Sequence, residues 1–126
     1  NKIKDICESR NYNYHEQINY LSELMKKADL AIGAGGLTNW ERIYVGLPSI
    51  CTIVAENQKD GTTYAGDINI CINLGWYENV KIITYKNNLN KITLKQLQNI
   101  SDNGLIITKT DISNIWIKSI LELLDD

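Results

Sequence analysis

The sequence predicts an α/β domain in which a parallel sheet carries helices on both faces, and three observations predict it. Residues 29–33, 49–54 and 68–74 are short, mostly apolar runs, as strands covered on both sides are. Stretches with apolar residues at helical spacing separate them, and that alternation marks a parallel sheet with crossover helices. A glycine-rich turn, Ala34-Gly35-Gly36, joins the first run to the helix after it. At 126 residues the chain has room for one domain, taken as residues 1–126. Its 44% hydrophobic and 22% charged residues exclude a disordered tail, a collagen-like repeat and a coiled-coil rod.

With 20 Ile and one Pro, β-branched strands and uninterrupted helices are both available. Ile3, Ile6 and Cys7 suggest the last turns of a first helix, and residues 11–15 alternate Tyr with polar groups as a short strand does. Leu21, Leu24, Met25 and Ala28 recur at helical spacing behind Asn19, a plausible N-cap. The strand at 29–33 then runs into the glycine turn. The next helix shows the stripe Trp40, Ile43, Tyr44 and Leu47, with Gly46 placed for a C-terminal cap and Pro48 to stop continuation. After the strand at 49–54 a weak helix follows Asp60, and the third strand ends at Gly75-Trp76. Residues 80–85 read as a further strand. Thr93-x-x-Gln96 forms a capping box for a helix bearing Leu94, Leu97 and Ile100. A last helix from about residue 111 places Ile112, Ile115, Trp116, Ile120 and Leu123 on one face.

Lys plus Arg total 13 against 15 Asp plus Glu, a net charge of −2, so there is no basic excess to attract nucleic-acid phosphate or anionic lipid. Apolar stretches break well short of the roughly 18 residues a membrane span requires. Cys7, Cys51 and Cys71 form no CxxC pair, and the latter two lie in apolar runs where a thiol acts as a small hydrophobe. Neither a disulfide framework nor a metal site is expected, and a reducing, cytoplasmic setting is. Residues 1–4 lack an initiator Met and a signal-peptide core, so the chain reads as part of a longer protein.

Chemistry concentrates where the strand at 29–33 feeds Gly35-Gly36 and then Leu37-Thr38-Asn39-Trp40-Glu41-Arg42. Glycines admit close approach to the backbone, and the free N–H groups and dipole of a helix start suit a phosphate or diphosphate. The carboxyl edge of an open α/β sheet is also where ligands bind. Thr38-x-x-Glu41 equally matches a capping box that binds nothing. The turn is not a P-loop, since no Gly-Lys-Ser/Thr follows. As a dinucleotide fingerprint it has Gly33, Gly35 and a later acid, Glu56, but Thr38 where the third glycine belongs. Asn57 and Gln58 follow the next strand and would share its edge, offering donors and acceptors to sugar or phosphate, or simply capping a helix. His15, the one histidine, is not taken as a catalytic base.

The ordered series from Ala28 through Gly33-Ala34-Gly35-Gly36, Thr38, Trp40-Glu41-Arg42, then Gly46-Leu47-Pro48-Ser49, Ala55-Glu56-Asn57-Gln58 and Asn73-Leu74-Gly75-Trp76 resembles the UDP-sugar hydrolases of pseudaminic acid biosynthesis. These are related to GT-B glycosyltransferases and to spore-coat polysaccharide proteins, and the resemblance covers residues 11–76. It implies a Rossmann-like C-terminal half of a GT-B fold, truncated at its N-terminus. It implies that UDP or a UDP-sugar binds through the amides of Gly35, Gly36, Leu37 and the start of the Thr38 helix. Glu41 would then accept from the ribose hydroxyls, Asn57 and Gln58 would meet phosphate or sugar, and the backbone near Tyr14 and His15 would frame the uracil. No cofactor and no metal are implied. The family's catalytic histidine belongs to an N-terminal domain absent from these residues, so this part alone is expected to lack turnover. The opening strands are missing too, which predicts self-association through exposed sheet edges. Leu37 stands where the family more usually has Ser. Two rival readings remain: the nucleotide half of a GT-B glycosyltransferase, and a non-catalytic α/β interaction module.

Overall fold

A computed structural model describes residues 1–109; the helix expected from about residue 111 lies outside them. Six helices and three strands follow in order: α1 (Lys2–Ser9), α2 (Leu21–Lys27), β1 (Ala31–Ala34), α3 (Leu37–Tyr44), β2 (Ser49–Ile53), α4 (Lys59–Asp67), β3 (Ile72–Trp76), α5 (Ile82–Lys91) and α6 (Leu94–Lys109), with 3₁₀ turns at Glu56–Gln58 and Tyr77–Asn79. The strands form one parallel sheet in the order β1-β2-β3. The fold is Rossmann-like α/β.

Sequential strand order and a single crossover hand require α3 and α4 to fall on the same face. The register agrees: Gly33, Cys51 and Asn73 lie side by side, so the Cys51 and Asn73 side chains and the open Cα of Gly33 share that face. Arg42 of α3 lies over Gly33, Asn39 of α3 bonds Cys51, and Gly66 of α4 packs on Asn73. Ile43, Cys51, Ala65, Ile70 and Cys71 make the core there, with Trp40, Ile68 and Ile107 packed against it. The opposite face meets α5, where the hydroxyls of Thr52 and Tyr85 bond at 2.6 Å.

Gly46, at φ +74°, follows the end of α3 as expected, and Leu47 and Pro48 are buried beyond it. α6 then crosses this end of α3: Ser101 Oγ donates to the Gly46 carbonyl at 2.7 Å, and Gly104 lets the helix sit against Ile43. Its start is the predicted capping box, with Gln96 N donating to Thr93 Oγ1 at 3.2 Å and Thr93 N donating to Gln96 Oε1 at 2.9 Å.

Three expectations are corrected. Residues 11–15 form no strand; left-handed backbone at Asn11 and Gln17 breaks extended pairing on both sides. α2 is capped at Tyr20, without a side-chain bond, rather than at Asn19. Residues 80–85 are not a strand but lead into α5. Thr84 Oγ1 accepts from Lys81 N at 3.1 Å, Tyr85 anchors the helix to the sheet, and Ile82 and Ile83 face solvent. Capping and one anchoring hydroxyl here outweigh the β-propensity of an Ile-Ile-Thr run.

Candidate functional site

The glycine turn lies at the carboxyl edge of the sheet, directly after β1. Gly35 still belongs to the ladder, because its N–H donates to the Thr52 carbonyl at 3.1 Å. Its other side is closed by α4: a Cβ on Gly35 would overlap Thr62 Oγ1, a buried hydroxyl that has no hydrogen-bond partner. Gly36 is the N-cap of α3 at φ +87°, ψ −158°, a backbone region essentially reserved for glycine. The amides of Gly36, Leu37 and Thr38 have no acceptor among the described residues, while Asn39 N closes back on the Gly36 carbonyl at 3.1 Å. The open donor set therefore begins at Gly36, one residue later than Gly35.

The capping box that Thr38 and Glu41 could have formed is absent. With Gly36 as N-cap, Thr38 is already inside the first turn, and no side chain caps the helix. Thr38 is half-buried and Glu41 exposed, and neither side chain makes a hydrogen bond or ion pair among the described residues. Glu41 opens instead onto a groove of about 630 Å³ between α2 and α3. One stripe of α3, Leu37, Trp40, Glu41 and Tyr44, forms one wall; Leu21 and Met25 of α2 form the other. The volume is of the size that small-molecule sites occupy, and the lining is mostly apolar with few polar groups.

Gln58 comes to the same edge. Its Oε1 accepts from Val54 N at 3.2 Å, and its Nε2 lies 3.4 Å from where a Gly36 Cβ would stand. The parallel order thus brings Gln58 beside the turn, as the sequence implies for residues following β2. Asn57 is exposed in the same 3₁₀ turn. Glu56, the acid of the dinucleotide alternative, is exposed and meets Lys59 at 3.5 Å. Tyr14 and His15 sit in the loop before α2 and do not line the groove. Tyr14 Oη donates to Glu16 at 2.8 Å, and this bond to a carboxylate raises its pKa; His15 Nδ1 lies 3.1 Å from Tyr20 Oη.

Beneath the turn lies a buried polar cluster that sequence reading missed. Ser49 Oγ and Cys51 Sγ both donate to Asn39 Oδ1, at 2.8 and 3.0 Å. Arg42 folds back across β1, its Nη1 donating to the Ala34 carbonyl at 3.3 Å and reaching Cys51 Sγ at 4.0 Å. Gly33 makes this approach feasible, since a Cβ there would stand 2.5 Å from Arg42 Nη2. A glycine inside a strand is the sequence signal that could have announced it. Pairing with the Cys71 thiol, helped by Ser49 and Arg42 and opposed by burial, draws the Cys51 thiol down to about 7; the same pairing and burial push Cys71 up. Burial nevertheless governs reactivity, because an attacking thiolate must first be reached. Of the three thiols, Cys7 is half-buried and the other two are buried. A thiol reagent such as DTNB should therefore modify Cys7 rapidly in the native chain, and Cys51 and Cys71 only after unfolding. Fast native modification of a second thiol would contradict this packing.

Comparison with known proteins yields one informative similarity. Over 64 residues, 51% of this chain, the sequence is 36% identical to the spore coat polysaccharide biosynthesis protein SpsG of Bacillus subtilis (strain 168). The chain spans about a fifth of that protein, 19% of its length. No protein-family model matches the chain, and no solved structure matches it closely. Among the described residues no helix is long and apolar enough to cross a membrane, and no three His, Cys, Asp or Glu side chains gather as a metal site would need.

Proposed function

We propose that this chain is the nucleotide-holding part of an enzyme of surface-polysaccharide biosynthesis and that it binds a UDP-sugar. The observation that carries the proposal is the start of α3, where three unpartnered amides, Gly36 to Thr38, adjoin an unpaired carboxylate, Glu41, at the mouth of an open groove. The amides and helix dipole suit the diphosphate. A carboxylate one turn further on suits the vicinal hydroxyls of ribose, which need acceptors. The apolar stripe of Leu37, Trp40 and Tyr44 offers the base a surface out of water. Gln58, whose amide lies beside Gly36, would donate to phosphate or sugar, and Asn57 lies next to it. Similarity to a polysaccharide biosynthesis protein supports the class of pathway.

The reaction of the whole enzyme is proposed to be hydrolysis of the UDP-sugar, with the general base coming from a partner domain. This half contributes by holding the leaving diphosphate in place and countering its charge. Titration of the chain with UDP, followed by amide NMR, tests the binding step. Shifts should concentrate at Gly36, Leu37, Thr38 and Glu41 and extend to Gln58. Unchanged signals at millimolar UDP would overturn the assignment.

A further inference from the structure

Arg42 is a half-buried cation directly beneath the glycine turn, and no carboxylate among the described residues pairs with it. Its guanidinium is held in one place by the Ala34 carbonyl and by the Cys51 sulfur, and Gly33 keeps the space above the strand clear for it. Half-buried cations without a counter-ion are uncommon, because desolvation is then uncompensated. Ala34 is two residues from Gly36, where the open amides begin.

Resting on the nucleotide reading above, we propose that Arg42 is a positioning residue of the phosphate cradle. It clamps the last carbonyl of β1, which sets the path of the Gly35-Gly36 turn. Its charge, which no carboxylate among the described residues balances, also makes the cradle select ligands by phosphate charge, so that a nucleoside diphosphate is preferred over the monophosphate and both over the nucleoside. Beyond the Cys51 sulfur, which already lies 4.0 Å from it, Arg42 acts on the diphosphate across the turn without touching it. Partial burial preserves this effect against salt better than a surface lysine would. The same fixed charge contributes to lowering the Cys51 thiol.

The test is the affinity of the chain for UDP, UMP and uridine, measured by calorimetry for the wild type, Arg42→Gln and Arg42→Lys. Gln removes the charge and, two bonds shorter, stops short of the Ala34 carbonyl; Lys keeps the charge without the planar fork. Arg42→Gln should weaken UDP on the order of tenfold and UMP less, leaving uridine within about twofold, as a lost through-space attraction does. Arg42→Lys should restore most of the UDP preference. Equal losses for all three ligands, or Arg42→Lys behaving like Arg42→Gln, would reduce Arg42 to a structural clamp and overturn the proposal. Should Arg42→Gln fail to fold, Arg42→Met, an uncharged chain of similar bulk, takes its place: a lowered ratio of UDP to uridine affinity supports the proposal and an unchanged ratio overturns it. Failure of the wild type to bind UDP removes the nucleotide reading itself. Normal wild-type binding with an unchanged ratio in both variants removes only the role of Arg42.

Discussion

Glu41→Ala should weaken UDP binding by roughly tenfold to a hundredfold, the value of hydrogen bonds to a charged group, while leaving stability within about 0.5 kcal/mol. The combination is what makes the result diagnostic. Were Glu41 the far half of a capping box, its loss would cost about 1 kcal/mol of helix stability and nothing in binding. The structure removes that role, since Gly36 is the N-cap and neither Thr38 nor Glu41 closes on a backbone donor. What remains is an exposed carboxylate without an ion pair among the described residues, at the rim of the groove. Calorimetry with UDP and urea unfolding of the same preparations decide the matter. A destabilised variant with unaltered affinity would falsify the assignment of Glu41 to the ligand. Glu41→Gln, which keeps one acceptor oxygen, should fall between wild type and Glu41→Ala.

Gly35→Ala is expected to lower stability by about 1–3 kcal/mol, the usual cost of forcing atoms into a packed interior. Neither side of the contact can retreat. The Gly35 amide is tied to the Thr52 carbonyl in the ladder, and Thr62 is buried on α4 against the turn. The clash falls first on Thr62 Oγ1, so Thr62→Ala should recover most of the loss in the double variant. Thr62→Ala alone sacrifices no hydrogen bond, because that hydroxyl has none. Urea unfolding of the four proteins of this cycle measures the coupling. Additive effects of the two substitutions would mean that the turn relaxes away from α4 rather than pressing on it.

Much of the fold was legible because its signals are local or periodic. The Thr93–Gln96 box, the Gly46-Leu47-Pro48 stop after α3 and the strand–glycine–helix order of residues 31–44 all appear where residue type and spacing place them. Parallel order also brings Gln58 to the glycine turn. Where two local signals competed, sequence reading chose wrongly. Residues 80–85 look like a strand by β-branching, yet Thr84 caps them into a helix anchored by Tyr85 on Thr52, a partner 33 positions away.

By itself, then, the sequence determined the α/β alternation, the helix start and stop points just named, and the location of a backbone-donor turn at a sheet edge. Those depend on backbone conformational preferences and on hydrophobic period, which act over a few residues. Tertiary structure alone decided which amides of that turn are free, that Glu41 faces a groove rather than the helix cap, and that Arg42 lies beneath the turn. Each depends on contacts between segments distant along the chain: Thr52 engages Gly35, Thr62 abuts it, α2 supplies the far wall of the groove, and Cys51 helps hold the guanidinium. Only burial and pairing across the sheet bring such groups together, and no spacing within a single segment encodes them.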